Sequence, residues 1–297
     1  MLKAAKTYLK REKLQGLDVV LFILLTTLFL MVLIPFINVV AISLTSYKEY
    51  IQSGWVFWPK EITFQSYKEL FKDNRILVGY KTTLTYVALG VPLNLLLSTT
   101  LAYSLSRRGW PGRKLLLILV LITMVFQGGI VPLYLVMKQL TLTGKIWSVI
   151  LAHGMNTFNM ILIYNYFNSL PESIVESARL DGANEWTILA RVVLPLARPI
   201  LATVVLFCAV DYWNEYFMSM IFLRGNEWRA LQQVLRSIVI DSDVVDSGTS
   251  LTPLESRNYT QGIKMAALIV TMVPIICVYP FLQKHFTKGI MIGAIKA

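Results

Sequence analysis

At 297 residues, 56% of them hydrophobic and only 15% charged, the chain is too apolar for a soluble globular domain and reads as one integral membrane domain. Its formal charge of +11 would suit nucleic acid, but the Lys and Arg are scattered through short segments between apolar runs, as topology-setting charges are. Cys208 and Cys277 both sit inside apolar segments, which excludes a disulfide scaffold or a metal-ligand spacing.

Lys3, Lys6, Lys10, Arg11 and Lys13 precede an apolar run over residues 17–42. The run is far longer than the core of a cleavable signal, no small-residue cleavage site follows it, and it is long enough to cross about 30 Å of hydrocarbon. Pro35 is placed to kink its second half. Residues 43–80 mix charges with Trp, Tyr and Phe, including WVFWP at Trp55 to Pro59, and read as an interfacial aromatic loop that is also able to meet an external partner.

A second span is expected over 81–106, followed by RRGWPGRK at Arg107 to Lys114, a strong cytoplasmic turn. The third span, 115–137, is broken by QGGIVP, where Gly128, Gly129 and Pro132 disfavour continuous helix. The fourth, 146–167, carries His153, Asn156, Asn159 and Asn165; polar groups at that depth need partners, so this helix should face a bundle interior or a wet cavity.

The polar stretch 169–199 then stands between apolar segments. Ser169 and Glu172 have the form of a capping box, for a short helix ending near Leu180 with Gly182 as its left-handed terminator. Ile174, Ala178 and Asp181 would share its inner face. Asn184 is placed to cap a second helix from Glu185, which Pro195 ends or bends. Helices this short are unstable alone, and a mere connection needs only a few residues, so the insert reads as a docking surface.

A fifth span over 200–223 contains Asp211, Asn214 and Glu215; Asp211 and Glu215, four apart, should share one helical face and point inward. Residues 224–259 read as a polar outer segment, and DSDVVD within it lacks the full calcium-loop pattern and reads as a solvated face. A sixth span over 260–283 contains Pro274 and Pro280, and a basic tail follows. This layout puts both termini and the insert in the cytoplasm. Fifteen Lys and Arg then lie inside against five acids (Glu12, Glu172, Glu176, Asp181, Glu185), while the other thirteen stand against twelve acids in the spans and outside.

With only His153 and His285, no Walker lysine loop and no HExxH, nothing supports an enzyme or a metal site. The rival class is a secondary transporter using Asp211 and Glu215 as proton or cation sites, but no internal duplication is evident.

Glu176-Ser177-Ala178, Asp181-Gly182-Ala183 and Leu194-Pro195 together resemble the EAA loop of inner-membrane permease subunits of binding-protein-dependent ABC importers, with Ser177 in place of the usual middle Ala. Trp213-Asn214-Glu215-Tyr216 and KGIMIGAIK at Lys288 to Lys296 resemble the carbohydrate-importing branch that includes the maltose permease subunits. The resemblance implies an all-α permease fold of the type I importer kind, with six transmembrane helices in a single domain over 1–297, in the bacterial inner membrane. It implies no catalysis and no cofactor on this chain, with ATP and Mg on a partner cytoplasmic ATPase dimer. Glu172, Glu176, Ser177, Ala178, Asp181, Gly182 and Ala183 would form a coupling helix docked on that ATPase, with Gly289 to Ile295 as a second contact. A second homologous permease subunit would complete the path, for which His153, Asn156, Asn159, Asp211, Asn214 and Glu215 are pathway or inter-subunit candidates. An extracytoplasmic solute-binding protein would deliver the substrate to the outer segments. The composition and aromatic outer loop look most like permeases for oligosaccharides, including the alginate or polygalacturonate type.

Overall fold

The computed structural model describes residues 16–53, 55–107, 109, 111–126, 128–223, 225, 227–246 and 260–294. The basic flank before Gly16, Arg108, Trp110, Gln127 and Ile295 lie outside the described residues, as do the side chains of DSDVVD and of Gly289 to Ala294. The described residues are all-α: α1 (Gly16–Ser43), α2 (Tyr47–Ser53), α3 (Gln65–Lys72), α4 (Asn74–Ser106), α5 (Arg113–Val125), α6 (Ile130–Gln139), α7 (Ile146–Ala152), α8 (Thr157–Ser169), α9 (Glu172–Leu180), α10 (Glu185–Leu196), α11 (Arg198–Trp213), α12 (Phe217–Phe222), α13 (Leu231–Asp246) and α14 (Thr260–Ala294). Among the described residues three helices are long and apolar enough to cross a membrane, or up to six spans if each bent pair counts as one.

The chain divides into two compact units, Met1–Leu70 with Val244–Ile269 and Phe71–Asp243 with Val270–Ala297. In the first, α1 is apolar along its whole length and its membrane-spanning stretch is unburied, as suits a helix solvated by lipid or by another subunit. Its C-terminal end is held by Asn38, whose side-chain amide donates to the Val56 carbonyl at 2.9 Å, and by a small cluster of Ala41, Ile42 and Val56. Pro35 lies inside the continuous helix. The aromatic loop is partly helical, and Trp55, Phe57 and Trp58 are exposed.

In the second unit α4 packs against α8 and α11 around Tyr86, Ile150, Met160, Phe167, Val204 and Cys208. α4 begins at Asn74, seven residues before the expected start, because Asp73 caps it by accepting the Arg75 amide at 2.9 Å. The outer segment after Arg224 is not merely a polar loop. α13 forms there and buries Leu231, Val234 and Ile238, and Gly79 of α4 lets the Leu231 backbone approach closely.

Three expected spans are broken. Gly129 adopts φ 79 and ψ 176, a region open only to glycine, and separates α5 from α6. A 48° bend separates α7 from α8, and the fifth span is interrupted between α11, which stops at Trp213, and α12; an 84° bend at Ala197 sets the insert's α10 against α11. Pro195 does not end its helix. A π turn over Ile188–Val193 takes up the missing amide, and the bend falls two residues later.

Candidate functional site

Two sites occupy the second unit, the polar insert and a cavity among the broken spans. In the insert, α9 begins at Glu172 with Pro171 as its N-cap residue. The expected capping box at Ser169 is incorrect: Ser169 is the last residue of α8, and its hydroxyl bonds back to the Tyr166 carbonyl at 2.7 Å. The C-terminal turn does form as its glycine demands. The Ala183 amide reaches the Ala178 carbonyl and the Gly182 amide the Arg179 carbonyl, both at 3.0 Å, with Gly182 at φ 80, a complete Schellman motif. Asn184 caps α10 through its side-chain oxygen, which accepts the Thr187 amide at 2.8 Å.

The inner face of α9 is centred on buried Val175, flanked by half-buried Ile174 and Ala178; Asp181 is exposed at the C-cap, not part of that face. Glu172 and Glu176 line a cleft of about 280 Å³ with Ser106, Arg107 and Phe167. Ser177 is exposed and donates to the Ser173 carbonyl at 2.8 Å, so the small side chain makes no demand on its surroundings. Ala183 packs against the core, while Leu180 is 88% and Trp186 70% exposed, an apolar knob at the tip of the insert.

Glu185 ties this insert down. Its Oε2 accepts the Tyr103 hydroxyl of α4 at 2.6 Å and its Oε1 takes Arg179 Nη2 at 2.8 Å. The Tyr103 hydrogen bond, opposed by partial burial and helped by the Arg179 and Arg107 charges, holds the Glu185 carboxyl below the usual carboxylate range.

The second site is a cavity of about 1050 Å³ lined by residues from all three breaks, among them Gly129, His153, Asn156, Asp211 and Phe217, with Asn94 of α4. His153 Nε2 lies 2.6 Å from Glu215 Oε2, and the His153 carbonyl accepts the Asn94 side-chain amide at 3.0 Å. Asn156 is the N-cap of α8, accepting the Phe158 and Asn159 amides at 2.9 and 3.3 Å. Asn159 is buried and donates at 3.4 Å to Sγ of Cys208, which lines the cavity.

Asp211 and Glu215 do not share a helical face. α11 ends at Trp213 with exposed Asn214 as its C-cap, and Glu215 lies in the turn before α12. There Glu215 Oε1 accepts the Met218 and Ser219 amides at 2.7 and 3.0 Å, so the side chain starts α12 instead of extending α11. Asp211 faces the cavity; Glu215, only 6% exposed, is committed to structure.

Tyr103, Arg107, Asn94 and Trp186 escaped the sequence reading. For Trp186 a signal existed, an aromatic residue two positions after the N-cap of a polar insert. For Tyr103 and Asn94 none did, since their partners lie 82 and 59 residues away.

A family model described as the binding-protein-dependent transport system inner membrane component matches residues 82–292. The chain belongs to that family. It is 36% identical over 284 residues to the polygalacturonan/rhamnogalacturonan transport system permease protein YtcP of Bacillus subtilis (strain 168), covering 94% of this chain and 98% of that one. It is 38% identical over 268 residues to Protein LplC of the same organism, covering 89% of each. It superposes with a TM-score of 0.84 and 32% identity, over 93% of this chain and 99% of the other, on a chain from the crystal structure of a bacterial ABC transporter involved in the import of the acidic polysaccharide alginate. This chain is accordingly a non-enzymatic membrane permease subunit of an ABC-type importer. Glu215 is held by His153 and by the Met218 and Ser219 amides, and nothing in that geometry favours a carboxylate-driven secondary transporter.

Proposed function

We propose that this permease forms half of the translocation path of an ATP-driven oligosaccharide importer and that residues 169–199 are its cytoplasmic coupling insert. The full-length likeness to the alginate importer chain is the observation that carries the reading, because it extends over the insert and the broken spans together. The exposed Leu180 and Trp186 give the insert an apolar anchor, and the acids Glu172, Glu176 and Asp181 surround it with acceptors for a partner's donors. A companion permease, a cytoplasmic ATPase dimer carrying ATP and Mg, and an external solute-binding protein complete the assembly, and both termini lie in the cytoplasm.

The cavity is the substrate path. Tyr212, Phe126 and Phe217 offer aromatic faces, and Asn94, Asn156 and His153 offer hydrogen-bonding groups, a lining suited to sugar rings and their hydroxyls. The substrate class is an oligosaccharide of an acidic polysaccharide, the kind of cargo for which the transporter of alginate is named. The test is uptake of labelled oligogalacturonate and oligoalginate into proteoliposomes holding the complete importer and its binding protein. ATP-dependent uptake of either supports the reading. Uptake by this chain alone, driven by a proton gradient, defeats it.

A further inference from the structure

The insert and the cavity touch the same unbroken stretch of helix. C-terminal to Pro92, α4 carries Asn94, which holds the His153 carbonyl at the cavity, and nine residues on, about 14 Å along the axis, Tyr103, which holds Glu185 of the insert. Around Glu185 three segments meet: Tyr103 and Arg107 from α4, Arg179 from α9 and Glu185 itself from α10. The Arg107 guanidinium lies 4.5 Å over the centre of the Tyr103 ring, whose hydroxyl donates to Glu185.

We propose that Glu185 is a positioning residue which, with Tyr103, fastens the coupling insert to α4, so that displacement of the insert is delivered to the cavity wall at His153. The proposal rests on the reading of residues 169–199 as a cytoplasmic lever. Apolar packing seats the insert through Val175, Ile188 and Val193, and the bonds of Glu185 give that seat a fixed direction. A cavity of about 710 Å³, lined by Thr100, Tyr103, Ser104, Arg107 and Trp186 among others, opens beside these bonds, so at this edge the insert and α4 are bridged by polar groups and not by close-packed side chains. Apolar contact is also non-directional and lets surfaces slide, whereas a short hydrogen bond to a carboxylate fixes both distance and angle. α9, nine residues long, has no rigidity of its own, and its turn at Gly182 is a hinge unless the far arm is pinned. Glu185, in the first turn beyond that hinge, is where a pin holds both arms, because its second oxygen engages Arg179 of α9.

The experiment uses the complete importer, with companion permease, ATPase and binding protein, in proteoliposomes, and reads ATP hydrolysed per oligosaccharide imported. Tyr103→Phe keeps the ring beneath Arg107 and deletes only the hydroxyl. Glu185→Ala removes both oxygens. Glu185→Gln keeps an acceptor for Tyr103 without the charge for Arg179. At the ordinary worth of a hydrogen bond to a half-exposed carboxylate, loss of the Tyr103 hydroxyl should raise the ratio about threefold to tenfold in Tyr103→Phe; Glu185→Ala, which also loses Arg179, should raise it at least as far and Glu185→Gln less, with subunit stoichiometry unchanged. An unchanged ratio in Tyr103→Phe overturns the proposal, and so does a fall in import and hydrolysis in parallel, which is what a merely structural role would produce. Absence of ATP-dependent import by the wild-type complex defeats the underlying reading instead.

Discussion

Replacing Glu215 with alanine should destabilise the importer by about 3–5 kcal/mol, the scale for stripping several hydrogen bonds from one buried carboxylate. The residue is 6% exposed and its two oxygens serve three groups: His153 Nε2 at 2.6 Å, the Met218 amide at 2.7 Å and the Ser219 amide at 3.0 Å. Alanine strands all three, at about 1–3 kcal/mol for each buried group left unsatisfied; water from the adjoining cavity recovers part of that loss. Glu215→Gln separates the hydrogen-bond pattern from the charge. Its amide oxygen still accepts from Met218 and Ser219, and its NH₂ donates to Nε2 once the imidazole carries its proton on Nδ1 instead, so the loss should be only about 1 kcal/mol. Thermal unfolding of the purified complex in detergent resolves the two, since at about 2 °C per kcal/mol alanine should lower Tm by roughly 6–10 °C and glutamine by about 2 °C. Equal losses from the two substitutions would refute the reasoning, because the hydrogen bonds would then not be what holds this turn.

Gly90→Ala should cost about 1–3 kcal/mol in the same assay, since the added Cβ would overlap the Tyr212 ring, whose hydroxyl is fixed on the Ile150 carbonyl. Gly129→Ala should cost a similar amount for a different reason. Nothing crowds the site, and the strain is wholly in the backbone, so Gly129→Asn should help no more than alanine does. At Gly182, where φ is 80 in the left-handed helical region, Asn should be tolerated in transport assays while Val should not. Asp73→Ala should remove about 1 kcal/mol of cap. Burial raises the Asp73 carboxyl, but the Arg75 amide and guanidinium outweigh it and leave the group below its ordinary value. The cap is therefore fully present above about pH 4 and lost as pH falls through the depressed value, so Tm of Asp73→Ala and wild type should converge only in strong acid.

What was legible in the sequence was local. Gly182 and Asn184 announced their roles because a left-handed terminator and an N-cap depend on residues within five positions. Ser169 misled because the same cap signature was available to a helix that simply ran on to Ser169. Glu215 misled for a related reason: WNEY contains neither Gly nor Pro, so nothing marked a break, yet the carboxylate's capture of two amides ends one helix and starts another. α13 was legible in retrospect, since Leu231, Val234 and Ile238 recur at three and four and form one face. The fastening of Glu185 to Tyr103 was not, because it depends on how α4 and the insert pack, which no window of sequence contains.

The three broken spans and the continuous helix α4 divide the work between them. Backbone freed by a break is tolerated at membrane depth only inside protein or against water, and all three breaks border the same cavity, at Gly129, at His153 to Asn156 and at Asp211 to Phe217. Breaks there supply polar groups and points of bending to the proposed path. The same property would make them poor transmitters, because a displaced half-helix spends its motion at its own hinge. α4 keeps its helix through Asn94 and Tyr103 to Ser106, and an intact hydrogen-bond ladder resists compression along its axis. In the proposed coupling, α8 and α11 tie the insert to the cavity through the chain itself, and the bond from Glu185 to Tyr103 adds α4 as a third, non-covalent tie.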